Sequence, residues 1–176
     1  MRKSDVKVLT KIRKRLMVKF IGEYTAKIDD KGRLVLPSAF KSIMSAEGEG
    51  QSAPDMKLVI KKDIYADCLV MYTYDEWSRE SEDLKSKLNF FDRRHELFWR
   101  QYMRDRALVE PDGKLGRISI PRKLLDSIGA EKEVVFCGND HKIEIWARDK
   151  FVSSGISNEE FVSLAGEIFG QERGGR

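Results

Sequence analysis

Two short turns hold the side chains best suited to gripping something charged. The first reads Asp29-Asp30-Lys31-Gly32-Arg33 and the second Asp112-Gly113-Lys114-Leu115-Gly116-Arg117. Each sets a lysine and an arginine beside a glycine, a few residues after an aspartate. An architectural reading accounts for the first turn: glycine supplies a positive φ, Asp29 accepts backbone N–H bonds, and Arg33 opens a strand. Repetition adds a second reading, because two related turns would present two basic groups on one surface. Covalent chemistry has no comparable support. The sequence has no glycine-rich phosphate loop followed by Lys-Ser/Thr and no metal-ligand spacing. His95 and His141 stand alone and read as surface histidines on a helix and in a hairpin turn. Cys68 and Cys137 lie in or beside apolar strands and read as small core residues rather than nucleophiles. The expectation is a protein that is not an enzyme and that needs neither cofactor nor metal.

The elements that position these turns occur twice. GRLVLP (32–37) returns as GRISIP (116–121), and LVMYTYDEW (69–77) returns as IEIWARDKF (143–151), in the same order. The spacing between the copies shrinks because the first carries an extra loop, SAEGEGQSAPDM (45–56). In each copy a short strand (FIGEYTAKI, 20–28; RALVE, 106–110) runs into the basic turn. A second strand follows, with Leu34 and Leu36, or Ile118 and Ile120, on one face. Pro37 and Pro121 suit the first position of a short helix, and Gly129 stops the second of these helices. Two more strands close each copy: KLVIKK with CLVMYTY, and EVVFCG with KIEIWA, the latter pair joined by the compact turn GNDH.

A helical stretch from about Asp75 to Arg106, broken near Asn89, joins the copies. Its stripe of Phe91, Leu97, Phe98 and Tyr102 is expected to pack on both. Ser157 and Glu160 form a capping-box pattern ahead of a C-terminal helix, 157–169. The apolar side of that helix (Phe161, Leu164, Ala165, Ile168) folds back on its own chain or docks on a neighbouring subunit. Short strands enclosing a two-turn helix cannot bury both faces alone. An α+β protein is therefore expected, with two pseudo-symmetric β-rich units forming a small barrel core. The division is 1–19 (basic extension), 20–77 (first unit), 78–105 (helical connector), 106–151 (second unit) and 152–176 (C-terminal helix and tail).

The chain has 176 residues, 41% apolar and 35% charged, with nine Phe, five Tyr and three Trp. That supplies a core and excludes wholesale disorder. No apolar run approaches the roughly 18 residues of a membrane span, and the N-terminus lacks the pattern of a secretory signal. Two cysteines make no disulfide framework, so a cytoplasmic protein is expected. The net charge of +4 is unevenly placed. Residues 1–19 hold eight basic groups and one acid; removing these from the 33 basic and 29 acidic residues leaves 25 and 28 in residues 20–176, a net −3. Basicity is thus a property of the arm, and binding of nucleic acid by the body needs local geometry. The arm, with Leu9, Ile12 and Leu16 at helical spacing, reads as a flexible tail, as sequence ahead of a true start at Met17, or as a grip on phosphates or a membrane surface.

FIGEYTAKIDDKGRLVLP (20–37), DCLVMYTYDEW (67–77), GRISIPRKLL (116–125) and VVFCGNDHKIEIW (134–146) together resemble the MraZ family, over roughly residues 20–170. That family comprises bacterial transcriptional regulators of the division and cell-wall gene cluster, built from two SpoVT-AbrB-type units of the swapped-hairpin kind. The resemblance implies a homo-oligomeric ring, located at the nucleoid, that binds tandem direct repeats of double-stranded DNA in its own promoter and lowers transcription. It implies no membrane and no small-molecule substrate. The family's Asp-x-x-x-Arg turn maps onto Asp29 and Arg33, so Arg33 becomes the expected DNA contact, its guanidinium fork suited to guanine O6 and N7. Lys31 and Lys114 would meet phosphates, and Asp29, Gly32, Asp112 and Gly116 would orient the turns. The second copy departs from the pattern: Gly113 stands where the family's Asp would fall, and Asp112 is one residue farther from Arg117. Either that turn bulges to bring Asp112 back, or it lacks the Asp-held geometry; the expectation therefore rests on Arg33 ahead of Arg117. The alternative is a non-enzymatic interaction module like the swapped-hairpin antitoxins, which neutralise a partner through a disordered C-terminal tail. Here only GQERGGR follows Phe169.

Overall fold

The computed structural model of the protein describes residues 2–7, 19–46, 56–113 and 115–171. Leu9, Ile12, Leu16 and Met17 of the arm, most of the loop 45–56, Lys114 and residues 172–176 lie outside the described residues. The strands are β1 (Glu23–Lys27), β2 (Arg33–Val35), β3 (Leu58–Lys62), β4 (Leu69–Thr73), β5 (Ala107–Val109), β6 (Arg117–Ser119), β7 (Glu133–Asn139) and β8 (Lys142–Ala147). The helices are α1 (Ser38–Ala46), α2 (Tyr74–Ser86), α3 (Arg93–Met103), α4 (Arg122–Ser127), α5 (Arg148–Ser153) and α6 (Asn158–Gln171).

Six strands make one antiparallel sheet in the order β1-β7-β8-β4-β3-β5, while β2 and β6 form a separate ribbon. The order is symmetric about its centre. β1, the first strand of the first repeat, pairs with β7 of the second, and β5 pairs with β3 of the first. Each repeat thus lends its opening strand to the other's hairpin, the exchange expected of swapped-hairpin units. The two hairpins meet where β4 pairs with β8. Every residue of β4 is buried, which fits its run of apolar side chains and its covering on both faces. One face carries Leu69 and Met71 in the main core with Leu34, Leu36, Phe40, Ile118, Leu125 and Phe136. The other packs Cys68, Val70 and Tyr72 with Trp146, against Trp77 of α2 and Phe151 of α5.

The strands enclose this core without closing into a barrel among the described residues: β1 and β5 remain sheet edges, and the ribbon lies apart. Asp29 N donates to Arg33 O (3.0 Å) and Gly32 N to Asp29 O (3.0 Å), so the chain reverses sharply between β1 and β2. Pro37 and Pro121 sit one position earlier than expected, at the N-cap. Pro37 O accepts from Phe40 N (3.0 Å) and Lys41 N (3.1 Å), and Pro121 has an extended ψ of 134°. An N-cap needs that conformation while its carbonyl takes the first helical bond.

The connector breaks between α2 and α3, where Asp92 caps α3 by accepting from Arg94 N and His95 Nδ1 accepts from Asn89 N at 2.9 Å. The expected stripe does not pack as a whole. Tyr102 is buried, but Phe91 is fully exposed and Leu97 and Phe98 are 49% and 42% exposed. α3 is rotated so that Tyr102 and half-buried Trp99 and His95 face inward. Tyr102 sets that rotation: its ring lies 3.9 Å under the Arg106 guanidinium and 4.6 Å from Lys61 Nζ. The capping box of α6 forms, Glu160 N donating to Ser157 Oγ (3.1 Å) and Ser157 N to Glu160 Oε2 (3.1 Å). The apolar face of α6 does not fold back on the described chain: Phe161, Leu164 and Ile168 are 63%, 45% and 63% exposed.

Candidate functional site

The ribbon is three residue pairs long: Arg33 opposite Ser119, Leu34 opposite Ile118, Val35 opposite Arg117. Leu34 and Ile118 are wholly buried, so the alternation turns Arg33, Val35, Arg117 and Ser119 to the outer face. Arg33 and Arg117 are diagonal neighbours there, about 7–8 Å apart by sheet geometry. The turns leave from opposite ends of the ribbon, but their arginines share one surface.

Within the first turn, Asp29 Oδ1 accepts from Lys31 N (2.9 Å) and Arg33 N (2.8 Å), while Oδ2 takes the Arg33 Nε proton at 2.7 Å. In the second, Asp112 Oδ1 accepts from Leu115 N (3.0 Å) and Arg117 N (3.2 Å), and Oδ2 takes Arg117 Nε at 2.6 Å. The extra residue is absorbed between Asp112 and Gly116, whose N–H still reaches Asp112 O at 3.1 Å. The bulge therefore restores the aspartate-held geometry. Arg33 and Arg117 side chains are 32% and 31% exposed, so the turns are equivalent in presentation as well as in bonding. In both, the carboxylate fixes Nε; among the described residues no acceptor holds the outer Nη atoms.

Gly32 and Gly116 have φ of +75° and +64°, which L side chains rarely adopt. Their carbonyls tie the two turns together: Leu36 N donates to Gly116 O (3.0 Å) and Ile120 N to Gly32 O (3.1 Å). One difference breaks the symmetry. Leu125 of α4 packs beside Gly32, whereas its counterpart in α1 is Lys41, which lies against Gly116 with Nζ 3.5 Å from Leu115 O. Lys41 is the site residue that reading the turns alone misses; aligning the two helices, FK against LL, reveals it. Lys31 is exposed.

The arginines hold both carboxyls below the ordinary carboxylate range. For Asp29 the largest cause is the backbone bond from Arg33; for Asp112 it is the Arg117 side chain, which lowers it to about 2. A depressed folded value means that the ionised contact is intact above the unfolded value near 4 and is lost as pH falls toward 2. A carboxyl-carbon NMR titration should accordingly place Asp112 near 2 in the native protein. Arg117→Ala should move it back toward the ordinary value of about 3.9.

His95 sits on α3 and exposed His141 in the β7–β8 turn. Burial pushes the Cys68 thiol up to about 12 and raises half-buried Cys137 as well. Among the described residues no group of three or more His, Cys, Asp and Glu is placed to hold a metal ion.

Two exchanged hairpins with an aspartate-held arginine from each repeat on one exposed ribbon define a duplicated swapped-hairpin protein. The chain belongs to the MraZ family: the model described as "MraZ protein, putative antitoxin-like" matches residues 19–101 and 104–159. It is similar to the protein named transcriptional regulator MraZ in Bacteroides fragilis, at 36% identity over 89% of this chain and 95% of that one. Its likeness to the protein of the same name from Bacteroides thetaiotaomicron is 35% over 89% and 96%, and to that from Acetivibrio thermocellus 37% over 83% and 94%.

Proposed function

We propose that this chain is a sequence-specific, DNA-binding transcriptional regulator. It acts in the cytoplasm, at the nucleoid, as a homo-oligomer that binds tandem direct repeats in its own promoter and represses the division and cell-wall gene cluster. The observation that carries the DNA-binding reading is the pair of outward-facing arginines, each fixed through Nε by an aspartate on a common ribbon face. Fixing Nε leaves the Nη groups to donate to guanine O6 and N7. The arginines' backbone positions, about 7–8 Å apart, and their shared outer face let both forks address bases on one groove face. Lys31 and Lys41 lie in or beside the two turns as phosphate contacts, the role that the sequence also gives Lys114, and such contacts position without reading sequence. Because residues 20–176 are net negative, this local cluster has to be reinforced by repetition. Several copies on several repeats supply that by avidity. Among the described residues no helix is long and apolar enough to cross a membrane. We take 20–77 and 106–151 as the two units, joined by the connector 78–105 and followed by 152–176. Their exchanged strands make each dependent on the other for folding.

The test is titration of the protein against its own upstream DNA and a scrambled duplex at two salt concentrations, with a chain starting at Met17 in parallel. Preference for the upstream DNA that survives removal of the arm is the expected result. Equal, steeply salt-dependent binding to both duplexes that disappears with the arm would leave only a basic tail binding and would reject the reading.

A further inference from the structure

Two unpartnered apolar surfaces of opposite charge lie on this chain, and we infer that they are the two halves of one contact between successive copies. The inference rests on the homo-oligomer reading above and gives it its interface. The first surface is α6. Phe161, Val162, Leu164, Ile168 and Phe169 are 45–70% exposed. At 3.6 residues per turn they share a single face with Ala165. Glu159, Glu160 and Glu167 border that face, and residues 158–171 contain no lysine or arginine. At about 1.5 Å per residue the strip from Phe161 to Phe169 runs about 12 Å along the helix, a contiguous exposed apolar patch of the kind that marks an interaction site. The second surface is a groove beside α3, lined by Phe90, Phe91 and Leu97 and flanked by Arg93, Arg100 and Glu96. Its aromatic floor is open: Phe91 is fully exposed.

Charge decides which surface receives α6. The exposed Ile64 and Tyr65 of the β3–β4 hairpin sit between Asp63 and Asp67, and Asp67 is already paired with Lys62 and Lys150, so this surface has no net positive charge to draw an acidic helix. The hollow lined by Ile28 and Val152 mixes Lys27, Lys132 and Arg148 with Glu131, Glu133 and Asp149 and has no net sign to select it. Around the groove Arg93, Arg94 and Arg100 stand against Asp92 and Glu96, which pair with Arg94 and Arg100, leaving a net positive charge. Of these three surfaces the α3 groove is the one that combines an aromatic floor with a charge complementary to α6, and such complementarity fixes partner and register. Because the two surfaces differ, the contact is head-to-tail. It leaves a free α6 at one end and a free groove at the other, so it builds a ring if the rotation closes.

The experiment is light scattering on the full chain, on Phe91→Asp, on Ile168→Asp and on a mixture of the two variants. Both changed positions are solvent-facing, and circular dichroism checks that each variant is folded. Wild type should run as an assembly and each variant as a single chain of 20.3 kDa. The mixture should give one-to-one pairs and nothing larger, because the first variant keeps an intact α6 and the second an intact groove. A wild type that is itself a single chain would overturn both this contact and the oligomer reading. An assembled wild type whose variants remain assembled, or folded single-chain variants that fail to pair on mixing, would overturn the contact and leave that reading standing.

Discussion

Replacing both Arg33 and Arg117 by alanine is expected to remove the preference for upstream over scrambled DNA. Either replacement alone should cost about the same, roughly 10- to 100-fold in affinity for the upstream site. The magnitude follows from a well-aligned arginine–guanine pair, worth about 1–3 kcal/mol of discrimination. The equality follows from the structure. Both arginines are held through Nε by an aspartate oxygen, at 2.7 and 2.6 Å, and both are about one-third exposed on one ribbon face. As diagonal neighbours they share a stretch of DNA, so the double variant need not show the product of the single losses. Binding to scrambled DNA should fall much less, because lysine–phosphate contacts remain. Folding should be almost untouched, since a partly exposed ion pair contributes about 0–1 kcal/mol. Titration of the three variants at one fixed salt concentration, with thermal melts alongside, checks this. If Arg117→Ala bound like wild type while Arg33→Ala did not, the two turns would be equivalent in the free protein but not on DNA.

That symmetry marks how far the residues could be read unaided. GRLVLP and GRISIP identify the turn, strand and helix start of each copy, though not that the two strands pair, because glycine, alternating apolar positions and proline each impose a local backbone constraint that needs no partner. The Asp112 spacing was ambiguous because a turn can absorb one residue as a bulge, and hydrogen bonding rather than chain distance decides whether it does. The exchange of β1 and β5 was not legible from strand patterning, since alternation names the buried face but not the neighbour across the ladder. Lys41 escaped notice because it lies on α1, outside the turn it touches. The connector stripe failed for a related reason. Phe91, Leu97 and Phe98 have the right types and nearly the right spacing for a buried face, yet α3 turns Tyr102 inward because Lys61 and Arg106 gather on its ring. An amphipathic pattern specifies that a face needs covering, not which surface covers it.

The same cluster carries the largest expected stability effect. Lys61 is only 5% exposed, on the outer face of β3 opposite Val70. Its Nζ donates to Glu80 Oε2 at 3.0 Å and to the Tyr102 hydroxyl at 3.2 Å. Tyr72 and Tyr102 hydroxyls in turn donate to Glu80 at 3.0 and 3.3 Å, so one carboxylate of α2 ties together β3, β4 and α3. Burial, opposed by Glu80, lowers the Lys61 pKa; burial and the Glu80 charge together push the Tyr102 hydroxyl up to about 12. Arg106 stacks on Tyr102, and its Nε is buried without a hydrogen-bond partner among the described residues. Two cations therefore depend on a single anion. Glu80→Ala should cost about 2–3 kcal/mol, below the usual 3–5 for a broken buried pair because Glu80 is itself about one-third exposed. In a chain of this size that lowers the melting temperature by about 5–10 °C. Lys61→Met should cost far less, since it removes the buried charge, fills the same space and leaves Glu80 its two tyrosine donors. Thermal melts of the two single variants and the double variant separate the cases. Equal losses from Glu80→Ala and Lys61→Met would mean that packing holds the connector down, whereas a loss confined to Glu80→Ala, relieved by adding Lys61→Met, identifies the unneutralised lysine as the cause.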